Sequence, residues 1–242
     1  MKNIKAILCL TLILFPALSW AGGNTTNDSF SKSKKWLLNK VYYDHLETFY
    51  CGCPFRMDKK VIFQADKFSP TTKHRKRADS IEWEHVTPAH AFGQSFKEWR
   101  DGDPACVDKN GKPFTGRKCA EKVNMQYRYM QADMYNLTPA IGQINALRSN
   151  YSFSMIPGEK REFGPCDMEI EDRKVEPRPE IRGDIARIYF YMDNAYPGRG
   201  IISQKNRKLF QAWAKEDPID NWERERAKRI EAIQGNHNKF VE

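Results

Sequence analysis

Apolar positions change register several times along this chain. Residues 7–18 are an apolar run interrupted only by Thr11 and Pro16, with Lys2 and Lys5 before it and Ser19-Trp20-Ala21 after it. That layout predicts a secretory signal peptide over residues 1–21, cleaved after Ala21. The run falls short of the roughly 20 apolar residues of a membrane span, and no later segment approaches that length. No membrane association is expected after cleavage. Residues 24–34 are polar and read as a mobile lead-in. Trp36, Leu37, Leu38, Val41, Tyr42, His45, Leu46 and Phe49 then recur at helical spacing, predicting an amphipathic helix that ends near Tyr50. Val61-Ile62-Phe63 is a strand candidate followed by a basic loop. Residues 81–86 alternate as a strand, with Ile81, Trp83 and His85 on one face and Glu82, Glu84 and Val86 on the other; Thr87-Pro88 stops it. Turn signals at 101–104 and 110–113 flank Cys106. A helix is expected over 127–135. Another should start at Thr138 as N-cap and Pro139 as first residue, with Asn145 inside it. Residues 159–182, rich in proline, glycine and charge, are the longest irregular piece. Helices follow over 181–192 and 204–215, and a last one over 217–233 has the dense charge of a solvated outer face. No internal repeat or long linker divides the chain, so one mixed α+β domain over residues 22–242 is expected.

Composition (40% hydrophobic, 29% charged) is that of an ordinary globular protein. The formal charge of +9 falls to +7 once Lys2 and Lys5 leave, an excess that favours polyanionic partners. Cys9 leaves too, so five cysteines remain: Cys51, Cys53, Cys106, Cys119 and Cys166. In an oxidising compartment most should pair, and the odd count leaves at least one free or paired outside the chain. Cys106 and Cys119 bracket a Gly/Lys/Asp-rich loop and make a hairpin staple. Either Cys51 or Cys53 can then take Cys166, since Cys-x-Cys members are too close to bond each other. No Cys-x₂-Cys pair suggests a zinc site.

Three side chains suggest hydrolytic chemistry. A carboxylate (Glu84), an imidazole (His85) and an amide oxygen (Asn145) are what one hydrated Mg²⁺ and an activated water require to cut a phosphodiester. Strict pleating sends Glu84 and His85 in opposite directions, although a strand ending at Thr87-Pro88 need not hold the alternation to its last residue. Taken alone, a Glu-His pair is more often surface decoration, and Asn145 is as readily a structural amide as a ligand. Arg117, in Thr115-Gly116-Arg117-Lys118-Cys119, has its backbone fixed by the expected staple and could neutralise charge on a phosphorane; by default it is a solvated cation. Lys73, Arg75, Lys76 and Arg77 could grip phosphates without reading sequence, or simply be solvated. His85 and His90 are spaced His-x₄-His, unlike the helix of zinc proteases, and no glycine-rich phosphate loop is present.

From about residue 49 to near the C-terminus the chain resembles the bacterial endonuclease I family of periplasmic and secreted non-specific nucleases. The words that carry the likeness are Tyr50-Cys51-Gly52-Cys53, Glu82-Trp83-Glu84-His85-Val86, Ala91-Phe92-Gly93, Asn136-Leu137-Thr138-Pro139, Arg148-Ser149-Asn150, Ile185-Ala186-Arg187 and Gln234-Gly235-Asn236-His237-Asn238. The resemblance implies a disulfide-stapled ββα-metal core surrounded by helices. It implies that Glu84 and Asn145 bind a Mg²⁺-type ion, with Mn²⁺ or Ca²⁺ as substitutes. It also makes His85 the general base and has Arg117 stabilise the transition state. The expected protein is a periplasmic or secreted monomer that cuts DNA, with RNA as a second candidate substrate, leaving 5′-phosphate ends. Two departures stand out. Gln131 occupies a position where relatives often carry an acid, and the chain lacks a mid-chain cysteine and a late pair, which accounts for the odd count. The alternative from another class is a basic exported nucleic-acid-binding protein without cleavage, and an intact Glu84, His85 and Asn145 set argues against it. A toxin nuclease would normally add delivery domains.

Overall fold

The computed structural model describes residues 22–158 and 160–242, so the predicted signal peptide lies outside the described residues. The helices are α1 (Phe30–Trp36), which continues as a π-helical stretch over Leu37–Val41, α2 (Ala89–Gly93), α3 (Lys97–Arg100), α4 (Arg117–Val123), α5 (Met125–Gln131), α6 (Gly142–Arg148), α7 (Arg182–Ala195), α8 (Gln204–Glu216) and α9 (Asn221–Gln234). The strands are β1 (Ile81–His85), β2 (Leu137–Ile141), β3 (Ser152–Phe153), β4 (Met168–Glu171) and β5 (Lys174–Pro177). The fold is thus mixed helix and sheet in one domain.

β1 pairs antiparallel with β2, in a register that sets Ile81 opposite Ile141 and His85 opposite Leu137. α6 follows β2 without a loop. This corrects the expected helix start: Thr138 and Pro139 lie in a strand, and the helix begins at Gly142. The local capping signal loses to tertiary pairing, because every residue of β2 is buried and its backbone polar groups need partners. Proline is tolerated because the ribbon has only two strands, and the Pro139 carbonyl accepts from the Phe49 N–H at 2.8 Å. Gly142 has a specific reason to be glycine: a Cβ there would sit 2.6 Å from the Arg77 carbonyl oxygen.

The lead-in also departs from expectation. α1 starts at Phe30, capped by the Ser29 side chain on the Lys32 N–H, and the helix stops at Val41 rather than near Tyr50. Parts of the polar lead-in are tied down, although Thr25, Thr26 and Asp28 are exposed. Asn24, Asn27 and Ser33 are buried because each is bonded: Asn24 Nδ2 donates to the carbonyls of Asn27 and Tyr129, and Asn27 Nδ2 donates to Ser33 Oγ. Val61 makes only an isolated bridge, and Ile62 and Phe63 are exposed, so the strand expected there does not form. The stretch read as irregular holds the β4–β5 hairpin, to which β3 adds in parallel.

α7 and α8 follow the predicted periodicity and pack on each other around Tyr189, Phe210 and Trp213. α9 opens with a capping box between Asp220 and Glu223. Its charge is only partly solvated, because Arg226 reaches inward to the carbonyls of Met134, Tyr135 and Leu137 and so fixes the entry to β2. Disulfides join Cys106 to Cys119 and Cys51 to Cys166. Among the described residues Cys53 is the free thiol; it is buried, and burial pushes its pKa up to about 11.

Candidate active site

A cleft of about 770 Å³ opens where the end of β1, α6, the start of α4 and α1 meet. Glu84, His85, Arg117 and Asn145 all line it. Of the basic run only Arg77 does. Lys73, Arg75 and Lys76 are exposed outside it, with Arg75 held by Asp79 at 2.9 Å. Phe30, Lys34, Lys59 and Glu82 also line the cleft, and nothing in the sequence patterns had singled them out for it.

Glu84 is buried, and its Oε1 accepts from the Tyr50 hydroxyl at 3.0 Å and pairs with the Arg148 guanidinium at 2.9 Å. Tyr50 precedes the half-cystine Cys51, so the Cys51–Cys166 bond anchors the residue that supports Glu84. Burial raises the Glu84 pKa to about 7, and Arg148 and Tyr50 hold it back from rising further. His85 is also buried. Its Nε2–H donates to the Gln131 carbonyl at 2.8 Å, which leaves the lone pair on Nδ1. Burial, then the charge of Arg117, lowers its pKa to about 3, so the ring is neutral throughout the physiological range. The Phe30 ring lies 4.9 Å from it, and the Arg117 guanidinium sits 5.6 Å from the Phe30 centroid. The position of Gln131 thus contributes through its backbone, whatever its side chain.

Glu84 and His85 both line the cleft although β1 keeps its register with β2 through His85. β1 ends at His85. Val86 N–H then donates to the Asn136 carbonyl, Thr87 N–H donates to Asn136 Oδ1 at 2.7 Å, and Asn136 Nδ2 donates back to the Thr87 carbonyl at 2.9 Å. A fully buried asparagine therefore clamps the turn that follows His85.

Asn145 is half-buried on α6, and its Nδ2 donates to Glu82 Oε2 at 2.8 Å. Arg77 grips the same carboxylate through Nε and Nη2. The amide is thereby fixed one way round. Its Oδ1, like Glu84 Oε2, takes no hydrogen bond from a described residue. Two hard oxygens on one cleft suit an ion such as Mg²⁺, which keeps most of its waters and needs few protein ligands. No group of three or more histidine, cysteine or acidic side chains that could hold a metal gathers among the described residues.

Residues 29–242 match the model of the family described as Endonuclease I. The chain is 41% identical to an extracellular deoxyribonuclease of Aeromonas hydrophila over 222 residues, covering 87% of this chain and 88% of that one. It is 39% identical to a periplasmic deoxyribonuclease of the same organism, covering 85% and 82% of the two chains. It is 38% identical to Endonuclease-1 of Buchnera aphidicola subsp. Acyrthosiphon pisum, covering 84% and 76%. With a family match that takes in the whole cleft and such likeness along most of its length, this chain belongs to the endonuclease I family.

Proposed function

We propose that the protein is an exported, sequence-non-specific endonuclease that hydrolyses phosphodiester bonds of DNA with one divalent ion. The observation that carries this reading is the convergence of Glu84, His85, Asn145 and Arg117 on one cleft, on elements that share no local sequence. The order β1, β2, α6 is read as the ββα-metal core. Glu84 Oε2 and Asn145 Oδ1 are the atoms that would hold Mg²⁺, with Mn²⁺ or Ca²⁺ as substitutes. When bound, the ion supplies Lewis acidity at the scissile phosphate and its leaving oxygen.

His85 is the general base. The Gln131 carbonyl fixes its tautomer and so leaves the lone pair that takes a proton from water on Nδ1. Arg117 faces the charge that builds on the phosphorus oxygens. Water attack on phosphorus with departure of the 3′ oxygen leaves a 5′-phosphate. Such hydrolysis makes no use of a 2′-hydroxyl, so RNA fits the same chemistry. Lys34 and Lys59 in the cleft add a sequence-blind grip on the backbone, and Lys73, Arg75, Lys76 and Arg77 extend it outward. The leader-like residues 1–21 and the extracellular and periplasmic relatives support placement in the periplasm or the medium.

The test is supercoiled plasmid incubated with residues 22–242 in Mg²⁺ and in EDTA. Nicking in Mg²⁺ alone, with 5′-phosphate ends, is the expected result. Plasmid that is retarded on the gel but never cut in either buffer would overturn cleavage in favour of binding alone.

A further inference from the structure

We propose that Arg148 is a positioning residue: from the last position of α6 it holds the carboxylate of Glu84 and the exit of β1 in the geometry that cation binding and His85 both need. The inference rests on the reading of Glu84 as a cation ligand. Arg148 is fully buried, 0% exposed. Its Nη1 pairs with Glu84 Oε1 at 2.9 Å and donates to the His85 carbonyl at 3.0 Å, while Nη2 donates to the Val86 carbonyl at 2.6 Å. Behind the fork, the guanidinium lies 4.8 Å from the Phe153 ring centroid and meets the Tyr189 hydroxyl.

Two facts make this more than ordinary packing. First, a buried arginine is costly to desolvate, and apolar residues of similar size commonly serve stability as well or better. What the guanidinium adds is direction: a rigid planar fork that binds a carboxylate and two carbonyls together, which an ammonium cannot reproduce. Second, Asn145 lies one helical turn before Arg148. The same short helix therefore supplies the amide oxygen and fixes the carboxylate opposite it, tying the two ligands to one rigid body. Arg148 touches no substrate in this arrangement and acts through Glu84 and His85.

The experiment uses residues 22–242 as wild type, Arg148→Lys and Tyr189→Phe. Mn²⁺ affinity is measured by calorimetry, Mg²⁺-dependent nicking by kcat and KM, and folding by thermal melting. Lysine keeps the charge and loses the fork. A cooperative melt with Mn²⁺ affinity weakened about 10–100-fold is expected for it, as for other supports of metal ligands, with a fall in kcat and little change in KM for DNA. Tyr189→Phe removes only the hydroxyl behind the guanidinium and should weaken Mn²⁺ in the same direction by about threefold. It decides the matter alone if Arg148→Lys does not fold. Unchanged Mn²⁺ affinity in the folded variants, beside a wild type that binds, overturns the positioning role. A wild type that binds no Mn²⁺ overturns the ligand reading of Glu84 instead, and the inference with it.

Discussion

Replacing His85 with alanine leaves a protein that still binds plasmid but nicks it about 10²–10⁴-fold more slowly in Mg²⁺, the usual contribution of a positioned general base. The variant removes the His85 imidazole while leaving Glu84, Asn145 and Arg117 in place. Mn²⁺ affinity measured by calorimetry should change little, because no ligand oxygen is lost. The cost to folding is modest: the Gln131 carbonyl loses a donor, worth about 1–3 kcal/mol if no water replaces it. Free imidazole in the buffer should recover part of the rate through the space vacated beside Phe30. Cleavage at the wild-type rate would remove His85 from the mechanism, whatever the metal does.

Glu84→Gln should weaken Mn²⁺ binding and Mg²⁺-dependent cleavage by at least about a hundredfold, since a neutral amide replaces the only carboxylate among the proposed ligands. Unlike the His85 variant, it should also lower the melting temperature. The neutral amide cannot balance the buried Arg148 charge that the carboxylate meets at 2.9 Å. The wild type carries a related signature in its pH dependence. With no cation bound, the Glu84 carboxyl titrates near 7, so below that pH a cation must displace a proton to bind. The Mg²⁺ concentration giving half-maximal rate should therefore rise about tenfold per pH unit as pH falls below 7, and level off above it. His85, lowered to about 3, stays neutral across the same range and adds no inflection. A half-maximal Mg²⁺ concentration that is the same at pH 6 and pH 8 would show that Glu84 is not the ligand.

Candidate residues in this chain were more legible than geometry. Glu84, His85, Arg117 and Asn145 were each recognisable by residue type and by the words around them, and the fold brings all four to one cleft. What supports them was not legible. Arg148 stood in a family word with no role attached, because only the fold places it beneath the end of β1. Phe30 and Lys34 were passed over as part of a polar lead-in. The reason is physical: Asn24 looks like a solvated residue when its partners at 129 and 133 are out of view of any local window. A clue was present in Ser29, an N-cap residue in front of Phe30. Thr138-Pro139 misled in the opposite sense, as a valid helix-start signal overridden by the need of β1 for a partner. Periodicity served best where helices are long, in α7 and α8, and failed at Val61-Ile62-Phe63, where three apolar residues find no neighbouring strand.

The lead-in has a consequence for the order in which the protein assembles. The Gly22 carbonyl accepts from Asn236 Nδ2, Thr26 Oγ1 donates to the Gln234 carbonyl, and Asn24 N–H donates to the Tyr196 hydroxyl, contacts that span up to 214 residues of chain. Contacts of such separation form slowly, because the whole intervening loop must first be closed. The lead-in residues are thus among the last to settle, and they carry α1 and its Phe30 into the wall of the cleft. In refolding, helical signal should return ahead of cutting activity, and the cleft should become competent only once the far end of the chain has docked.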